Sequence, residues 1–89
     1  MDLETIYRAS LEKWGVEGQY DQAVEECAEL ITVLKHFRRG KADAAAVINE
    51  LADVTLMVGQ LSYMFGEAEV QQAMVAKLEK LGGLLAEQD

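Results

Sequence analysis

Proline is absent from the 89 residues, cysteine and histidine occur once each, and acids outnumber bases 16 to 8, for a net charge of -8. Each shortage excludes something. Without proline, only the seven glycines are strong helix breakers. The lone Cys27 cannot close an intramolecular disulfide, and its place in a helical apolar pattern reads as a small core residue. A thiol nucleophile needs a partner histidine, yet His36 lies nine residues on and on a different helical face. His36 reads as a helix-end residue beside the last carbonyls. Glu-x-x-His pairs are missing, which argues against a di-iron bundle. So few Lys and Arg argue against binding a nucleic-acid polymer. No uninterrupted apolar run approaches the ~20 residues of a membrane span. The acidic start, Met1-Asp-Leu-Glu4, leads into no apolar signal segment. A cytoplasmic protein with no membrane partner is expected.

What is present is helical. One domain covering residues 1–89 suits this length, and the apolar spacing predicts an all-α fold of four helices. The first spans about Asp2 to Lys13, with Asp2 as N-cap and Leu3, Ile6, Tyr7 and Leu11 on one face. Trp14 to Gly18, with two glycines in five residues, reads as a turn. The second spans about Gln19 to Arg38, with Tyr20, Ala23, Cys27, Leu30, Ile31 and Leu34 as its stripe. Gly40 stops it, and Asp43 caps a third helix from about Ala44 to Phe65. Gly66 breaks the chain again. The fourth helix runs from about Glu67 to Leu81, ended by Gly82-Gly83 and a frayed tail. The arrangement expected is a four-helix, bundle-like subunit. Hydrophobic residues make up 51% of the chain, more than a lone small monomer needs, and the third helix is apolar on nearly every face from Val47 to Val58. Assembly as a homodimer or a dimer of dimers, a homotetramer, follows.

Within Val47–Val58 only Asn49, Glu50, Asp53 and Thr55 are polar. A carboxylate in apolar surroundings costs several kcal/mol unless it is paired or bound to a metal. Glu50 and Asp53, three apart, share a face with Cβ atoms roughly 5–6 Å apart. No Lys or Arg lies between Ala42 and Ala76 to neutralise them. The second helix carries a matching pair, Glu26 and Glu29, with Gln22 on the same face and Glu25 further round. A short loop favours antiparallel neighbours, which would let the two pairs converge. Four carboxylates without a cation repel. A hard divalent ion with oxygen ligands, above all Mg²⁺, resolves that repulsion.

Glu26-x-x-Glu29, twenty residues, then Glu50-x-x-Asp53 resembles the E-x-x-E…E-x-x-D motif of the all-α nucleoside triphosphate pyrophosphohydrolases, the superfamily of MazG and the dimeric dUTPases. Lys13-Trp-Gly15, Gln19, Glu25-Glu-Cys-Ala-Glu-Leu30 and Glu50-Leu-Ala-Asp-Val54 resemble the MazG-like branch. The resemblance covers about Leu11 to Leu81 and is strongest at the motif.

This resemblance implies hydrolysis of a (deoxy)nucleoside triphosphate between its α- and β-phosphates, giving a monophosphate and pyrophosphate. The cell would use it to remove aberrant nucleotides or to adjust nucleotide pools. Glu26, Glu29, Glu50 and Asp53 would hold Mg²⁺, with Mn²⁺ as a substitute. Glu26 would also act in catalysis beside Glu25, which would orient or deprotonate the attacking water. Lys77 and Lys80 would bind phosphates, where the family often has basic residues; Arg38, Arg39 and Lys41 form another basic cluster. The family's fuller C-terminal set of Asn, Lys and Arg is incomplete here. Trp14 could stack on the base, and Gln19 or Gln22 could read its edge. Two other readings use the same residues: a non-catalytic helical assembly module, and a nucleotide or metal sensor that binds without turnover.

Overall fold

The computed structural model describes residues 1–87. The fold is all-α: α1 spans Leu3–Arg38, α2 Ala44–Phe65 and α3 Glu67–Ala86. The ends follow local chemistry. Asp2 caps α1 by accepting from the Thr5 N–H at 2.8 Å, and Asp43 caps α2 by accepting from Ala46 at 3.0 Å. Lys35, His36 and Arg38 place basic groups against the negative end of the α1 dipole. Gly40, at φ +73, closes α1 with the paired bonds of a Schellman motif, Lys41 N–H to His36 O and Gly40 N–H to Phe37 O. Gly66, at φ +126, forms the corner between α2 and α3. The expected limits of the third helix, and the start of the fourth, match α2 and α3.

The turn expected over Trp14–Gly18 shrinks to one residue. Gly15 alone leaves helical geometry, at φ +79 and ψ 171, which glycine adopts without a Cβ clash. The bend is nonetheless sharp. In a straight helix Ser10 and Gln19 would lie about 13.5 Å apart along the axis. Here the Gln19 side chain reaches the Ser10 carbonyl at 3.2 Å. The helix expected to end at Gly82-Gly83 continues to Ala86. No neighbouring atom or positive φ sets those glycines apart, so hydrogen bonding carries the helix across their low propensity. The frayed tail was expected beyond Gly83; residues 84–86 are helical, and 88–89 lie outside the described residues.

The α1–α2 hairpin is the packed part of the molecule. Tyr7 is buried there, its ring centroid 6.2 Å from that of Tyr63, and the Tyr20 and Phe65 rings stack at 6.0 Å. Gly59 permits this approach: a Cβ there would lie 2.7 Å from Tyr7 Cζ. The buried line along α1 is Gln19, Ala23 and Glu26, not the whole apolar stripe. Cys27, expected in the core, is exposed, as are Ile31 and Leu34. They sit on the side of α1 that α2 leaves uncovered.

Among the described residues α3 touches α2 only, at the corner, and never α1. The shape is accordingly open. The radius of gyration is 16.3 Å, against about 12 Å for a closed domain of this length. The accessible surface is 6931 Å², about 1,700 Å² more than a compact monomer of this mass exposes. Val70, Met74, Leu78, Leu81 and Leu85 lie uncovered on α3, and Ile48, Leu51, Leu56 and Val58 on α2. By length and composition α2 also meets the minimum for a membrane span, although Glu50 and Asp53 lie within it.

The Gly59–Tyr7 contact can be tested directly. Gly59→Val should lower stability by about 1–3 kcal/mol in urea denaturation, the usual cost of overpacking. An unchanged midpoint would refute this close approach of the two helices.

Candidate metal centre

Antiparallel pairing of α1 and α2 sets Glu29 beside Glu50, and Glu26 beside Asp53. Carboxylate oxygens of Glu26, Glu29 and Glu50 lie within 4.8 Å of one another. Glu26 is buried, Glu50 and Asp53 are half-buried, and Glu29 is exposed at the edge. Burial, first of all, pushes the Glu26 carboxyl up to about 7, helped by a hydrogen bond with Glu29 and by the charges of Asp53 and Glu29. Burial also raises Glu50, followed by the charges of Glu29 and Asp53. Every influence on these two groups disfavours their ionised forms. Oε2 of Glu50 is sealed from solvent and has no hydrogen-bond partner. An orphaned acceptor among convergent carboxylates suits a hard cation, and the all-oxygen donor set suits Mg²⁺ over softer metals.

Two concavities flank this cluster. Toward the α1–α2 loop lies a recess of about 400 Å³ lined by Glu25, Ala28, Glu29, Thr32, Val33, His36 and Glu50. Glu25 thus stands at the rim of the acid cluster, and His36 faces the same recess. Lys35, Arg38 and Arg39 line a separate surface hollow further along α1. On the other side of the acids lies a groove of about 420 Å³ whose lining includes Tyr7, Trp14, Gln19, Gln22, Leu56, Met57 and Gln60.

Three residues singled out for a base, Trp14, Gln19 and Gln22, therefore share one groove. Trp14 is 60% exposed on its wall, with Lys13 Nζ 5.0 Å from the ring centroid. Gln19 and Gln60 are buried, at 5% and 3% exposure, and each donates its Nε2 to a main-chain carbonyl, of Ser10 and Tyr7 respectively. Sequence reasoning missed Gln60. It lies seven residues, two helical turns, beyond Asp53 on the same line of α2, and is polar in an apolar stretch. Carrying the count of polar residues two positions past Val58 finds it. Lys77 and Lys80 are not brought to the acids within one chain, because both are exposed on α3, which contacts α2 only at the corner.

Comparison with protein-family models, with curated proteins and with solved structures gives no match.

The raised carboxyls make a signed prediction. Between the ordinary glutamate value near 4.5 and about 7, the folded chain holds a proton on Glu26 that the unfolded chain has released. Metal-free stability should therefore fall as pH rises through this window. A divalent cation bound by these acids would compete with that proton, so a gain in melting temperature on adding Mg²⁺ should grow with pH up to about 8. Thermal melts from pH 4.5 to 8, with and without Mg²⁺, check both slopes. A metal-free melting temperature that rises through the window would contradict the assignment.

Proposed function

We propose that the protein is a Mg²⁺-dependent nucleoside triphosphate pyrophosphohydrolase of MazG-like type. The observation that carries this reading is the orphaned Glu50 oxygen beside Glu26 and Glu29. Glu26, Glu29, Glu50 and Asp53 would hold the ion. Once bound, Mg²⁺ or Mn²⁺ supplies neutralisation of the triphosphate and a lowered pKa for the attacking water. Glu25, exposed at the recess beside Glu29, orients that water and accepts its proton, with Glu26 sharing the contact. A new P–O bond forms to the water oxygen as the bond to the α,β-bridging oxygen breaks. The products are a monophosphate and pyrophosphate. Trp14, Gln19 and Gln22 bind the base side of the substrate.

The residues follow a line that suits a nucleotide. Along α1 the groove residue Gln19 precedes Glu26 by seven positions, about 10.5 Å of helix, and Arg38 and Arg39 follow at the far end. The reading places the protein in the cytoplasm, removing aberrant nucleotides or adjusting their pools.

Assembly belongs to the same proposal. The excess surface of about 1,700 Å² per chain falls within the roughly 1,000–2,500 Å² that each partner contributes to an obligate homodimer. A second copy covering α2 and α3 closes the open shape into the bundle-like arrangement of a dimer or tetramer. Lys77 and Lys80 then reach phosphates from a neighbouring copy. Sedimentation equilibrium at micromolar concentration should give a multiple of the 9.8 kDa chain mass. Leu78→Asp should shift the distribution toward the single chain, and a wild-type monomer at these concentrations would refute the assembly.

The activity is tested with canonical and modified nucleoside triphosphates in Mg²⁺ or Mn²⁺, measuring monophosphate and pyrophosphate together. Turnover should vanish on metal removal, and Glu50→Gln should lower it by at least about a hundredfold, the scale of losing a key electrostatic group. No turnover on any substrate would overturn the enzymatic reading. Full activity of Glu50→Gln would overturn the ligand assignment.

A further inference from the structure

We infer that the groove beside the acid cluster selects nucleobases that carry an exocyclic amino group, through the side-chain oxygens of Gln19 and Gln60. The inference rests on the nucleotide reading and adds the chemical class of base. A glutamine amide normally offers either edge to a ligand by rotating through 180°. These two do not have that freedom. A main-chain carbonyl can only accept, so each amide must turn its nitrogen toward it: Gln19 to Ser10 O at 3.2 Å, Gln60 to Tyr7 O at 3.0 Å. Both side chains are more than nine-tenths buried and line the groove. Among the described residues neither amide oxygen accepts a hydrogen bond, and neither is sealed from solvent as Glu50 Oε2 is.

The groove therefore presents two held acceptors beside an indole face. The 4-amino group of cytosine or the 6-amino group of adenine gives such oxygens a donor. Uracil and hypoxanthine place a carbonyl oxygen where cytosine and adenine carry that amino group, setting acceptor against acceptor. A buried polar group left unpaired by the wrong ligand is a strong basis for rejection. The groove volume of about 420 Å³ lies within the range of small-molecule sites. Gln22, also in its wall, lies one helical turn before Glu26, so the groove runs directly into the acid cluster.

The test uses pairs that differ only by amino against oxo: cytidine with uridine, and adenosine with inosine. Uncharged nucleosides are titrated into the metal-free full chain, following the indole resonance of Trp14, the sole tryptophan. Initial rates on the corresponding triphosphates with Mg²⁺ are measured in parallel. The amino member of each pair should bind, and turn over by kcat/KM, at least about tenfold better. Gln60→Met and, separately, Gln19→Met should bring each pair to within about twofold, with far-UV circular dichroism confirming the fold. The wild-type comparison stands whether or not either variant folds. Turnover with no preference within a pair, or with the oxo member preferred, overturns this inference and leaves the hydrolase reading standing. Amino-selective nucleoside binding without turnover upholds the groove and overturns the hydrolase. Absence of both overturns both.

Discussion

Like charges face one another across the α1–α2 seam, and the rest of the molecule is arranged around that repulsion. Glu26 and Glu29 come from one helix, Glu50 and Asp53 from the other, and the antiparallel register sets them side by side. Aliphatic side chains at these positions would have closed the hairpin at less cost, since buried charges rarely repay their desolvation. The chain instead has two means of relieving the repulsion. One is a proton, which Glu26 retains up to about pH 7. The other, under the proposed function, would be a cation held by the same acids. Proton and cation would then compete for the same oxygens, and metal binding would be linked to the stability of the hairpin.

Away from the acids two buried glutamine contacts depend on Gly15. If α1 were straight, its first residues would run on past the end of α2. The bend returns the segment carrying Tyr7 and Ser10 to the flank of the hairpin, where their carbonyls hold Gln60 and Gln19. A single residue with positive φ thereby forms a groove and sets the direction in which two amides point. Little apolar side-chain surface is sealed within one chain; among the described residues Tyr7 and Ala23 are the buried hydrophobics. Polar contacts correspondingly make up much of what is buried in the hairpin.

The legible features were those with strong local causes. Asp43, Gly40 and Gly66 mark element ends through a side-chain acceptor and two positive-φ positions, and α2 begins and ends where they dictate. The acid pairs were legible because a spacing of three shares a helical face whatever the partner. The position of Cys27 was not legible: an apolar residue in a helical stripe looks alike whether its own chain or another copy covers it. Gly82-Gly83 looked like a stop, since propensity cannot show whether a preceding helix persists. The bend at Gly15 appeared as a longer turn, because Gly18, the second glycine of that stretch, is simply helical. Gln60 escaped notice as a neutral residue, although its line along α2 is that of Asp53.

The corner at Gly66 has a mechanical consequence. It is the only residue between α2 and α3, and α3 is 20 residues long, a rod of about 30 Å. A rotation of about 10° at that corner sweeps the far tip through roughly 5 Å, close to the pitch of one helical turn. A small torsional change at that residue therefore displaces the end of the rod sideways by about half a helix diameter. The angle at one glycine thus sets where the far end of α3 lies relative to the hairpin.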